Sequence, residues 1–93
     1  MKKVSLSPKW TFEVTPGYPL PLGATITPEG INFVVFSRHA EDLLLILITS
    51  TGATIGEIEL DRFHYKTGDI WHLLLRTTQH DLQYCFRASG PYD

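Results

Sequence analysis

Hydrophobic and polar residues alternate along much of this chain with the period of two that marks a strand half buried in a sheet. The clearest case is Leu82-Gln83-Tyr84-Cys85-Phe86-Arg87-Ala88-Ser89. Leu82, Tyr84, Phe86 and Ala88 share one face, and Gln83, Cys85, Arg87 and Ser89 share the other. Ile55 to Leu60 repeats the pattern, with Ile58 and Leu60 inward and Glu57 and Glu59 outward. Ile70 to Thr77 sets Trp71, Leu73 and Leu75 against Ile70, His72, Leu74 and Arg76, and a second face that is only half polar predicts that something covers it. Ile31 to Ser37 is apolar on both sides through Phe33, Val34, Val35 and Phe36, as a central strand is. Leu43 to Ile48 is a solid apolar run that suits a buried strand or a buried helix. Its shortness and the Thr49-Ser50-Thr51-Gly52 that follows favour the strand, and Ser37 to Asp42 leaves room for one helical turn before it.

Turn residues leave no space for a long helix. Pro16-Gly17, Pro19, Pro21, Gly23, Pro28-Glu29-Gly30, Thr51-Gly52, Thr67-Gly68-Asp69 and Gly90-Pro91 punctuate the whole length. Short strands with turn signals about every 8–12 residues predict an all-β sandwich. Residues 1–16 are read as an N-terminal extension with one edge strand around Trp10 to Val14, and residues 17–93 as the sandwich itself. The Pro-rich stretch after it is too rigid and donor-poor for a central strand.

Composition narrows the class. At 93 residues the chain is far shorter than the roughly 250 that a (β/α)₈ barrel takes. A hydrophobic fraction of 43% with 19% charged residues is ordinary globular composition. The net charge of −2 gives no reason to expect nucleic acid or a membrane as partner. Cys85 is the sole cysteine, so no internal disulfide forms, which suits a reducing compartment. The N-terminus has the charges of a signal peptide without its apolar stretch, and a soluble, cytoplasmic domain is expected.

Candidate chemistry is sparse. Cys85 falls on the outward face of its strand with no flanking nucleophile signature. His39, His64, His72 and His80 match no zinc spacing and read as surface or loop residues, so no metal or cofactor is expected. Glu57 and Glu59 lie about 7 Å apart by strand geometry. Two carboxylates on one flat strand face point the same way, though, and cannot straddle a sugar. No catalytic residue is assigned. The aromatic side chains are the remaining lead, since rings at Trp10, Tyr18, Phe63, Tyr65, Trp71 and Tyr92 suit stacking on the C–H face of a sugar. Phe63 and Tyr65 lie in a polar loop, Asp61 to Asp69, beside Arg62, Lys66 and Thr67. Trp71 alternates with Leu73 and Leu75, which also suits a core position.

The order of motifs is itself informative. Gly17-Tyr18-Pro19-Leu20-Pro21-Leu22-Gly23-Ala24 is followed by Glu29-Gly30-Ile31-Asn32-Phe33-Val34-Val35-Phe36-Ser37-Arg38-His39-Ala40. Then come the apolar strand, Ile70-Trp71-His72, and Tyr84-Cys85-Phe86-Arg87-Ala88-Ser89-Gly90-Pro91-Tyr92-Asp93. Over residues 17–93 this series resembles the N-terminal domain of isoamylase-type glycogen debranching enzymes of glycoside hydrolase family 13. The resemblance implies an early-set immunoglobulin-like β-sandwich of about seven short, mainly antiparallel strands, grouped with carbohydrate-binding modules of family 48. It implies a catalytic (β/α)₈ barrel that follows in the same parent chain, hydrolyses α-1,6-glucosidic branch points and carries the catalytic residues, so that this polypeptide is a fragment of a longer enzyme. It implies two partners, that barrel and an α-glucan such as glycogen or a maltooligosaccharide.

Sugar-binding members of the family share a tryptophan pair with a nearby lysine and asparagine, whereas this sequence has only Trp10 and Trp71, and its one asparagine is Asn32 in a strand. That departure favours a non-catalytic accessory domain that packs on the barrel and helps to shape its substrate groove. Ile70, Leu74 and Tyr92 are the expected docking residues, with Val34 and Phe36 on the same face. The alternatives are an autonomous α-glucan-binding module acting through Phe63, Tyr65 and Trp71, or an unrelated immunoglobulin-like interaction domain.

Overall fold

A computed structural model describes residues 2–7, 10–77 and 81–89. Among the described residues the chain is all β, with no helix: β1 (Lys2–Ser7), β2 (Trp10–Thr15), β3 (Gly23–Thr27), β4 (Gly30–Phe36), β5 (Asp42–Ile48), β6 (Thr54–Leu60), β7 (Lys66–Thr67), β8 (Ile70–Arg76) and β9 (Gln83–Ser89). The larger sheet runs β1-β2-β8-β4-β3, with the short β7 also beside β8, and the smaller sheet runs β6-β5-β9. Every pairing is antiparallel. The two sheets pack face to face as an immunoglobulin-like sandwich, as expected.

Period-two patterning builds the core. Val14 of β2, Ile31 and Phe33 of β4, and Trp71, Leu73 and Leu75 of β8 line the inner face of the larger sheet. Leu43, Leu45 and Leu47 of β5 with Ile55, Ile58 and Leu60 of β6 line the facing side. The apolar run Leu43–Ile48 is a strand because β5 is the middle of its sheet. Its inward leucines enter the core, and Ile46 on the outer face is buried as well. No helical turn forms over 37–42. Glu57 and Glu59 point to solvent between Ile58 and Leu60, as their alternation predicts.

The first fifteen residues depart from expectation. The strand around Trp10 to Val14 is not an edge, because β2 pairs with β1 on one side and with β8 on the other, and Val14 is wholly buried. Here β1 takes the edge by pairing with β2, which a segment opening on two lysines does not announce.

Residues 16–22 then cross the outer face of the larger sheet as a strap. Tyr18 N–H donates to Asn32 Oδ1 at 3.0 Å, and Asn32 Nδ2 donates back to Tyr18 O at 2.9 Å. His72 Nδ1 lies 2.6 Å from Pro16 O, and because a carbonyl only accepts, that nitrogen carries the proton. In the neutral ring Nε2 then accepts from the Thr67 hydroxyl at 2.7 Å. Gly17 permits the approach: a side chain there would press on Asn32 and on Leu74, whose nitrogen would lie 2.8 Å from its Cβ. The half-polar face of β8 is covered, as its sequence predicts, and its covering is the chain's own Pro-rich segment. His72 is accordingly a buried latch and not the surface or loop histidine expected.

Candidate functional site

The loop that carries the aromatic candidates is organised by one side chain. Leaving β6, the chain turns at Asp61, whose Oδ2 accepts from the amides of Phe63 at 3.1 Å and His64 at 3.0 Å. It also lies 2.7 Å from His64 Nδ1. An aspartate that bonds the backbone two and three residues on is a common turn builder. Burial works to raise the Asp61 carboxyl, but the His64 ring and the two amides outweigh it and hold it below the usual carboxylate value. The turn closes where Tyr65 N–H donates to Asp61 O at 3.0 Å and Tyr65 O accepts from His72 N–H at 2.9 Å.

That geometry separates the three residues proposed to stack on a sugar. Tyr65 is 4% exposed, with its ring in the core cluster. Burial first, and the Asp61 charge second, push its hydroxyl above the usual value. Trp71 is 0% exposed, donates its indole N–H to Ser37 O at 3.1 Å, and has Lys66 Nζ 5.2 Å from its ring centroid. Neither ring presents a face to a ligand, which corrects that expectation for both. The core claims Trp71 through its alternation with Leu73 and Leu75. Tyr65 is drawn in by the backbone bonds on either side of it. Phe63 alone is open, 81% exposed, with the Arg62 guanidinium 5.4 Å from its ring centroid.

The docking candidates are divided in the same way. Leu74 is 3% exposed beneath the strap and Val34 is also buried, so the centre of that face is closed by the chain itself. This corrects Leu74 as an accessible docking residue. Ile70 is half-buried, and Phe36 opposite it in the ladder is exposed. Tyr92 lies outside the described residues, as does His80, and of Trp10 only its strand is described. Asn32 is spent on the strap and offers its amide to no ligand. The latch of His72, Asn32 and Pro16 was not named from sequence, although a histidine on an otherwise apolar strand face was its signal.

No reactive constellation emerges among the described residues. Cys85 is exposed on the outer face of β9, opposite Ile46. No group of three or more potential metal ligands gathers among the described residues. A shallow cavity of about 220 Å³ lies on the smaller sheet, lined by Asp42, Leu43, Leu44, Glu59, Arg87 and Ala88. It falls below the roughly 300–1,000 Å³ of ordinary ligand pockets. Among the described residues no helix is long and apolar enough to cross a membrane.

Residues 21–93 match the family described as carbohydrate-binding module 48 (Isoamylase N-terminal domain). The chain belongs to that family. This module is 39% identical over 80 residues to a glycogen debranching enzyme of Enterobacter sp. (strain 638), covering 86% of this chain and 12% of the relative. A glycogen debranching enzyme of Yersinia pseudotuberculosis (strain IP 31758) is 40% identical over the same shares. Isoamylase 1, chloroplastic, of Arabidopsis thaliana is 32% identical over 85 residues, covering 87% of this chain and 11% of the relative. The resemblance carried by residues 17–93 is thereby borne out, and this module spans about an eighth of the length of those relatives.

Proposed function

We propose that this module is the accessory N-terminal domain of a cytoplasmic debranching hydrolase that cleaves α-1,6-glucosidic branch linkages in glycogen or a related α-glucan, and that it packs on the catalytic (β/α)₈ barrel and helps to shape the substrate groove. The observation that carries the reading is the family match over residues 21–93 together with relatives named glycogen debranching enzymes. The burial of Tyr65 and Trp71 supports packing over stacking, because the strongest ring candidates for a sugar platform serve the core instead. Deleting residues 1–93 from the full-length enzyme is expected to leave kcat on a short branched oligosaccharide unchanged. It should also raise KM for glycogen or lower solubility, since uniform binding and not the chemical step would be lost. A truncated enzyme indistinguishable from the intact one on both counts overturns the proposal.

One observation favours a second reading, direct α-glucan contact: the open ring of Phe63 beside Arg62. A weak site of millimolar affinity corresponds to about −4 kcal/mol. Titration with maltoheptaose followed by NMR is then expected to shift resonances of the Asp61–Tyr65 turn, and Phe63→Ala to abolish the shifts. Silence at several millimolar ligand disposes of this second reading.

A further inference from the structure

The sandwich is closed along one side and open along the other. On the closed side β1 lies against β6. On the other, β3 ends the larger sheet and β9 ends the smaller. The rings of Phe33 in β4 and Tyr84 in β9 meet edge to face with centroids 4.8 Å apart, which puts β9 on the β3 side. Ala24 pairs with Phe33, and Ile26 with the core residue Ile31, so both point into the space between the sheets. From the other edge Tyr84 does the same, on one face with Leu82, Phe86 and Ala88, which pack against the core only in part. Ile26 is left 58% exposed and Tyr84 36% exposed. Core-facing positions at this exposure form an unfilled apolar opening, and not merely scattered surface residues.

The strand edges tell the same story. Edge strands usually carry lysines, other charges or bulges that discourage pairing with another chain. On the closed side β1 brings Lys2, Lys3 and a register break between Ser5 and Ser7. Its neighbour β6 brings Glu57, Glu59 and a break where Leu47 gives way to Ile48. By contrast β3, Gly23-Ala24-Thr25-Ile26-Thr27, has no charge, no proline and an unbroken register with β4.

Resting on the accessory-domain reading above, we propose that the portion of the debranching enzyme that follows this module seats against the β3–β9 opening, beside Ile26 and Tyr84. The family description places the module at the N-terminus, and the match is 12% of the relatives' length, so the bulk of each relative follows it. The last described strand is β9, and the continuing chain of the relatives therefore departs from one wall of this opening. An apolar polypeptide surface fits better than a sugar, because Ala24, Ile26, Leu82 and Phe86 offer no hydrogen-bonding side chain and the Tyr84 hydroxyl is the one such group among the residues named for this opening.

Hydroxyl-radical footprinting of the full-length enzyme, with each rate normalised to the denatured chain, tests the inference. Ile26 and Tyr84 are expected to oxidise several-fold more slowly than Phe63. Ile26→Glu, at a position the module itself leaves exposed, should restore Tyr84 oxidation several-fold. If Ile26 and Tyr84 react as fast as Phe63 while Leu20, Leu22 and Phe36 are protected, the module docks by another face and this inference alone falls. Protection of Ile26 and Tyr84 that vanishes on dilution assigns the opening to a second copy and likewise overturns it. If all these residues react freely, the packing reading itself fails with it.

Discussion

Trp71→Ala is expected to destabilise the domain by about 3–5 kcal/mol, the usual cost of emptying a buried tryptophan site. The side chain is wholly buried in the core cluster that also holds Leu73, Leu75 and the leucines of β5. The loss of its indole N–H adds to the effect, because Ser37 O then has no donor from that ring, at a cost of about 1 kcal/mol. A domain of this length has roughly 5–14 kcal/mol of total stability, so the variant should melt far lower or fail to fold. Urea unfolding followed by circular dichroism reads the difference. Phe63→Ala, at an exposed loop position, should stay within about 0.5 kcal/mol of the parent and serves as the control. A Trp71→Ala protein that keeps its stability yet loses affinity for α-glucan would show the ring to be a sugar platform and would contradict its burial.

The contrast between Trp71 and Tyr65 shows what the residues disclose before any coordinates. Trp71 sits in register with Leu73 and Leu75, and strand alternation alone puts it in the core. The same rule places Ile58 and Leu60, which alternate with the exposed Glu57 and Glu59. Tyr65 follows a turn, and no periodicity governs a turn residue. Its depth is set by Asp61 in the turn and by His72 of β8, whose pairing with the two-residue β7 no sequence pattern announces. The missed strands fail for related reasons. β3 emerges from a Pro-rich stretch and holds its place through β4, β7 is only two residues long, and β1 opens on two lysines and leaves only a short Val4-Ser5-Leu6-Ser7 alternation. Covering of the β8 outer face was legible from Ile70 and Leu74. The identity of the cover was not, since a strap of prolines and glycine has no hydrophobic pattern of its own.

Gly30→Ala is expected to cost more than about 3 kcal/mol, in the range reserved for backbone conflict and severe overpacking. Gly30 opens β4 at φ +153°, a conformation that side chains rarely adopt, directly after the Pro28-Glu29 turn. Thr27 Oγ1 fixes this turn by accepting from the amides of Glu29 and Gly30, each at 3.2 Å. A Cβ on residue 30 would overlap the Leu75 carbonyl oxygen and lie 2.9 Å from the Thr77 nitrogen. Both obstacles are backbone, so no rotamer change relieves them. Relief requires β4 to move away from β8, which breaks the register that aligns Ile31 with Leu75 and Phe33 with Leu73 across the core. Gly52 supplies the control. It also has positive φ, but nothing lies within 4 Å of its Cβ, so Gly52→Ala should show only the conformational cost, about 1–2 kcal/mol. Chemical denaturation of the two variants separates the terms, and equal losses would mean that β8 does not approach Gly30 as closely as this packing requires.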